Sequence, residues 1–214
     1  MNTRDIARIL GVAVVMTWTL LTASIAIPSA SADPCSDIQV IFARGTNEPP
    51  GVGSVGQAFI DSLNSQAGGR SVGVHAVDYP ATDDFATSAW VGANDAGSAA
   101  QYLVANCPQT KLVLGGYSQG ATVIDLSSTA MPPQVADHVA AVALFGNPSS
   151  TFARNTMSGG STLPAISPLY GGKTIDLCVP NDPVCSEGAD VFAHLIYVPT
   201  GMTSQAATFA ASRL

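Results

Sequence analysis

Lys111-Leu112-Val113-Leu114-Gly115-Gly116-Tyr117-Ser118-Gln119-Gly120-Ala121 decides the fold of this 214-residue chain. An apolar run ends at Gly115 and a helical pattern opens at Gln119, so Gly116-Tyr117-Ser118-Gln119-Gly120 reads as G-x-S-x-G on a strand, a tight turn and a helix. Five-residue matches with two glycines arise by chance, and the plain alternative is a glycine-rich turn with a capping serine. The flanking strand and helix favour the nucleophile elbow, in which Ser118 sits in a strained backbone conformation. A side chain two residues to either side would collide with the neighbouring strand or helix. The helix start also aims unpaired N–H groups at an anion developing beside Ser118.

Working outward, residues 37–43 are short and β-branched, bounded by the turn-rich stretch 44–51, and predict a buried strand followed by a long loop. Ser54 is expected to cap a helix running to about Gln66, followed by a strand over 71–79 and a long alanine-rich helix over 83–106. Beyond the elbow, the helix from Gln119 runs to about Ser128. Strands follow over 139–145 and 173–179, and a last helix over 203–212. The Gly-, Ser- and Pro-rich connection 147–172 is too long for a routine link and is expected to wander over the surface. Strands alternating with helices predict an α/β fold with a parallel, doubly wound sheet. No internal repeat or composition break marks a second domain.

Hydrophobic residues make up 47% of the chain and charged residues 11%, which excludes a disordered protein. Eight Lys plus Arg stand against 15 Asp plus Glu, a formal net charge of -7. The cations Arg44, Arg70, Lys111, Arg154, Lys173 and Arg213 are scattered singly, whereas a nucleic-acid binder needs a basic stripe. Nucleic acid is therefore excluded as a partner, and an anionic head group finds little attraction.

Residues 1–32 read as a secretory signal peptide. Arg4 and Arg8 precede an uncharged apolar run over 9–27, and Ala30-Ser31-Ala32 places cleavage after Ala32. An uncleaved membrane anchor is the competing reading, because the run approaches the roughly 20 residues that span a bilayer. Residues 33–214 then form one domain, expected outside the cytoplasm or at the cell envelope. Its cysteines, Cys35, Cys107, Cys178 and Cys185, are an even number in a secreted context, so two disulfides are expected. Of three pairings, Cys178 with Cys185 across a short loop, leaving Cys35 with Cys107, is the economical choice. A zinc site lacks the CxxC or HxxxH spacing it needs, so no metal is expected.

A serine hydroxyl needs a base. His75 falls inside a predicted strand and His138 just before one, in what reads as a surface turn. His194 follows the last predicted strand, in the order serine, acid, histidine of α/β-hydrolases, and is the base by order and elimination. The acids between Ser118 and His194 are Asp125, Asp137, Asp176, Asp182, Glu187 and Asp190. Asp182 is preferred because a disulfide and the prolines Pro180 and Pro183 would stiffen its loop. Asp176 falls in a strand, and Asp190 reads as a solvated charge. Phe85, Val191 and Phe192 are candidates for apolar rims around an acyl chain, with ordinary packing as the alternative.

Phe42-Ala43-Arg44-Gly45-Thr46-x-Glu48, the elbow from Gly115 to Ala121, and Cys178-x-Pro180-x-Asp182-Pro183-Val184-Cys185 followed by His194 together resemble the cutinase family, most nearly its secreted actinobacterial esterases of the mycobacterial type. The resemblance spans residues 33–214. It implies a minimal α/β-hydrolase of five parallel strands, disulfides Cys35 to Cys107 and Cys178 to Cys185, and a Ser118, Asp182, His194 triad. It further implies an oxyanion hole from the backbone N–H of Gln119 and the backbone N–H and hydroxyl of Thr46, where fungal members commonly carry serine. The implied activity is hydrolysis of small-molecule or polymeric esters with short to medium acyl chains, without a cofactor. A monomer and transient contact with lipid surfaces are expected. A phospholipase or acyltransferase on the same triad, and a non-catalytic secreted surface protein, are the alternatives.

Overall fold

The computed structural model describes residues 35–214, so the expected signal peptide lies outside the described residues. Five strands, β1 Ile38–Ala43, β2 Val72–Ala76, β3 Lys111–Tyr117, β4 Val139–Phe145 and β5 Thr174–Leu177, form one sheet in the order β2-β1-β3-β4-β5. Every neighbouring pair is parallel, as the alternating pattern predicts. The central strands are buried on both faces and therefore read as continuous apolar runs rather than alternating ones.

Side-chain alternation splits the core in two. Ile38, Val40 and Phe42 of β1 point to one face, where they pack with helices α1 Gly53–Gln66 and α6 Met202–Ala211. Ile41 and Ala43 point to the other, against α2 Phe85–Asn106 and α3 Gln119–Ala130. On the first face Phe42, Phe59 and Phe145 form an aromatic cluster with centroids 5.9 to 6.3 Å apart. Burial of each such ring stabilises the fold by roughly 1.5–3 kcal/mol. Gly115 makes room for this cluster, since a Cβ there would come within 2.6 Å of the Phe42 ring.

Strand order reverses between β1 and β3: the chain turns to β2 on one side of β1, then returns to place β3 on the other. The crevice beyond the carboxyl ends of β1 and β3 is the switch point at which open α/β sheets bind ligands. The loop after β1 carries Thr46 and the turn after β3 carries Ser118, so topology alone brings these two segments to one place.

Several local expectations are corrected. Ser54 lies inside α1 and is not its cap. The Glu48 carboxylate instead accepts from the Ser54 N–H at 2.8 Å and its hydroxyl at 3.0 Å. The connection 147–172 is not structureless, because α5 Thr151–Met157 opens it, capped by the Ser150 hydroxyl accepting from the Ala153 N–H, and a 3-10 turn Pro168–Lys173 closes it. A short helix α4 Pro133–His138, started by proline at its first position, precedes β4 and takes His138 out of the expected turn. The predicted strand 71–79 contracts to β2, and Val77 and Tyr79 continue as buried coil.

Both expected disulfides are present. Cys35–Cys107 spans 72 residues and ties the start of β1 to the end of α2, while Cys178–Cys185 spans 7. Among the described residues no helix is long and apolar enough to cross a membrane.

Candidate active site

Ser118 occupies φ 55°, ψ -120°, a region that disfavours a side chain, between β3 and α3. Its N–H donates to the Phe145 carbonyl at 2.9 Å, which holds the turn against β4. The two elbow glycines are required by close approach. A Cβ on Gly116 would stand 2.2 Å from the Gly120 carbonyl oxygen, and one on Gly120 would stand 2.0 Å from that of Ala43. Neither obstacle is a side chain that could swing away, so the motif records a backbone contact between the elbow and β1.

His194 sits in a 3-10 turn, Ala193–Leu195. Its Nε2 lies 2.9 Å from Ser118 Oγ, and its Nδ1 2.7 Å from Asp182 Oδ2. Asp182 is completely buried. Burial alone would push its carboxyl up, but hydrogen bonds from His194, from the Tyr197 hydroxyl at 2.6 Å and from the Val184 N–H at 2.8 Å outweigh that and hold it below the usual aspartate range. The Cys178–Cys185 bridge closes the ring containing Asp182. These sulfurs approach the Asp182 carboxylate, yet they are bonded to each other and offer no thiolate to a metal.

Three residues missed in the sequence hold the imidazole. Tyr117 stacks on it with centroids 5.1 Å apart and donates its hydroxyl to the His194 carbonyl at 2.6 Å. Tyr197 meets it edge-on at 6.1 Å while donating to Asp182. Burial raises the pKa of both phenols, so they remain neutral donors. Gly146, just past β4 at φ 57°, supplies the space, because a Cβ there would stand 2.7 Å from His194 Cε1. Tyr117 lies inside the recognised motif, but nothing local in the sequence marks Gly146 or Tyr197.

Thr46 and Ser118 border the same cleft, of about 420 Å³, with Tyr117 and His194. The Thr46 loop is clamped from both sides. Glu48 Oε2 accepts from the Gly45 N–H at 2.7 Å, and buried Arg44 donates to the Tyr79 carbonyl at 2.6 Å and, through Nε, to the Glu48 carbonyl at 2.8 Å. Asn47 donates through its side chain to Asp83 at 3.1 Å. The Gln119 side chain is buried, accepting from Ser88 Oγ at 3.0 Å and donating to the Thr82 carbonyl at 2.9 Å. Those bonds fix the residue whose main-chain N–H opens α3 beside Ser118.

Residues 34–214 match the cutinase family across the whole described domain. The chain belongs to the cutinase family. Two relatives from Mycobacterium tuberculosis are similar over most of their length: carboxylesterase Culp1, 60% identical over 100% of this chain and 98% of the relative, and phospholipase Culp4, 50% identical over 91% and 85%. Among solved structures, Trichoderma reesei cutinase in complex with a phosphonate inhibitor superposes with a TM-score of 0.67 at 34% identity, covering 84% of this chain and 77% of that one. This cutinase-family chain is a carboxylic ester hydrolase by that kinship.

The remaining expected residues divide. Phe85 lies in the cleft wall. Val191 and Phe192 stand 60% and 72% exposed outside the residues that line it, and Leu195 supplies the wall instead. The cause is local: the Phe192 N–H turns onto the Asp190 carboxylate, and the 3-10 turn that follows swings Leu195 round to the cleft. His75 pairs with Asp95 at 2.7 Å, on β2 and α2. Asp125 and Asp176 are bridged by the Asn147 amide at 3.0 and 3.2 Å and contact neither Ser118 nor His194.

Proposed function

We propose that this protein hydrolyses carboxylic esters of short to medium acyl chains through an acyl-serine intermediate on Ser118, with His194 as base and Asp182 as its orienting acid. The continuous contact from Ser118 Oγ to His194 Nε2 at 2.9 Å and from His194 Nδ1 to Asp182 at 2.7 Å is the observation that carries this reading. His194 takes the hydroxyl proton as Oγ attacks the ester carbonyl. Asp182 fixes the tautomer and stabilises the imidazolium. The Gln119 N–H, with the N–H and hydroxyl of Thr46, holds the tetrahedral oxyanion, and loss of one such donor costs about 100- to 1,000-fold in turnover. His194 then protonates the departing alcohol and activates the water that releases the acid.

The N-terminal pattern of residues 1–32 and the two disulfides support action outside the cytoplasm. Small and polymeric esters are the substrate class, with a monomer and transient contact with lipid surfaces as further parts of the reading. The Culp4 relative makes phospholipid carboxylic esters a second class. Purified protein is assayed on p-nitrophenyl esters from acetate to palmitate and on dioctanoyl phosphatidylcholine, beside Ser118→Ala. Turnover peaking at short or medium chains and abolished in the variant supports the reading. No turnover of any ester overturns it.

A further inference from the structure

A second cavity, of about 450 Å³, adjoins the Ser118 cleft and shares two wall residues with it, Phe85 and Met157. It lies between the first turns of α2 and the segment after α5, floored by Ala89 and Leu126 and bounded by Trp90 and Leu163. None of its lining residues is charged, whereas the catalytic cleft includes the Asp83 carboxylate. Trp90, at the rim of the groove, is 55% exposed. The connection expected to wander over the surface thus builds one wall of this groove.

We propose that the groove is the seat of the distal part of a medium-length linear acyl chain whose carbonyl lies at Ser118, passing between Phe85 and Met157. This rests on the esterase reading above. Adjacency to the cleft across those two shared wall residues and the uncharged lining argue for a hydrocarbon. The reaction chooses its side: the alcohol oxygen must reach His194 Nε2 to be protonated, and the groove touches neither His194 nor Leu195. The acyl chain is therefore the part free to enter it. Each methylene moved from water into such surroundings contributes about four-fold in binding. The cleft alone accommodates short esters, and the groove extends the range to medium chains such as decanoate and laurate.

The test blocks the groove at two exposed rim positions, Ala86→Phe and Ser161→Phe, and reads kcat/KM for p-nitrophenyl butyrate and laurate. The proposal expects butyrate activity within about two-fold of wild type and laurate activity lowered at least about ten-fold in either variant that folds. In parallel, methyl and hexyl butyrate vary the alcohol, and their ratio should not change. An unchanged laurate-to-butyrate ratio in the folded variants overturns the groove, as does a loss that follows alcohol length. A wild type that turns over no ester sinks the esterase reading instead. The groove is then read directly, by dodecanoate added below its critical micelle concentration while Trp90 emission is followed against Trp90→Phe. An emission change that Ala86→Phe abolishes supports the groove, and no change in wild type overturns it.

Discussion

Replacing Gly146 with alanine should injure catalysis through a residue that performs no chemistry. The new Cβ would stand 2.7 Å from His194 Cε1, 3.0 Å from its Nδ1 and 3.0 Å from the Tyr197 hydroxyl. Restoring ordinary contact, which begins at 3.4 Å, requires the ring to retreat by about 0.7 Å. That retreat cannot preserve both the 2.7 Å bond to Asp182 and the 2.9 Å bond to Ser118, while Tyr117 stacks on the same ring. Misplacement on this scale costs about ten- to a hundred-fold in kcat/KM. The positive φ of 57° adds roughly 1–2 kcal/mol of backbone strain, or about 2–8 °C in unfolding midpoint for a domain of this size. The assay pairs kcat/KM on p-nitrophenyl butyrate with thermal unfolding of the same preparation. A variant whose melting point falls while kcat/KM stays within two-fold of wild type would refute the claim that Gly146 sets the position of the imidazole.

Tyr197→Phe removes one of three donors to the buried Asp182 carboxylate. Because that carboxyl is held below its ordinary range, its stabilising effect is complete above about pH 4 and lost as pH falls through the folded-state value. The variant should be about 1.5–3 kcal/mol less stable at pH 7 in urea unfolding and should begin acid unfolding at higher pH; an equal deficit at pH 7 and pH 3 would point to packing alone. Burial raises Asp125 to about 7, against the Asn147 hydrogen bond that lowers it, and its Oδ1 has no protein partner. A raised carboxyl favours the fold most below its unfolded value, so wild-type stability should decline between about pH 4 and 7. Asp125→Asn should flatten that decline and gain a few kcal/mol at pH 8 relative to pH 4, as read from melting curves, whereas an unchanged slope would contradict it. Removing Cys178 and Cys185 together should cost about 2.5 kcal/mol and lower kcat, because Asp182 lies in the ring. Removing Cys35 and Cys107 should cost about 4.5 kcal/mol with kcat retained in the folded fraction; equal kcat losses in the two pairs would count against the ring's role.

What could be read in advance was what one segment dictates by itself. The elbow glycines were legible because contact with Ala43 and within the turn forbids a side chain, and the apolar runs of β1, β3 and β4 because both faces of the sheet are covered. The proposed acid and base are expected from chain order and a stiffened loop, and the fold brings His194 to 2.7 Å from Asp182 and 2.9 Å from Ser118. Gly146, Tyr117 and Tyr197 acquire their roles only when β3, β4 and the His194 turn meet, a convergence with no local signature. Helices α4 and α5 are too short for periodicity to show, six and seven residues each, and depend on Pro133 and Ser150 at their starts. The capping role went to Glu48 instead of Ser54 because the chain turns back on itself between Gly45 and Gly53. Likewise, sequence adjacency to His194 suggested Val191 and Phe192 as cleft walls, where a 3-10 turn presents Leu195.

The central claim is that Ser118 carries the acyl group between the two half-reactions. Brief mixing of the protein with p-nitrophenyl butyrate, acid quenching and peptide mass spectrometry would test it, beside Ser118→Ala. The account predicts a butyryl adduct on the peptide containing Ser118, formed with a burst of p-nitrophenol and absent from the variant along with turnover. An adduct on another residue, or ester hydrolysis surviving in Ser118→Ala, would contradict it.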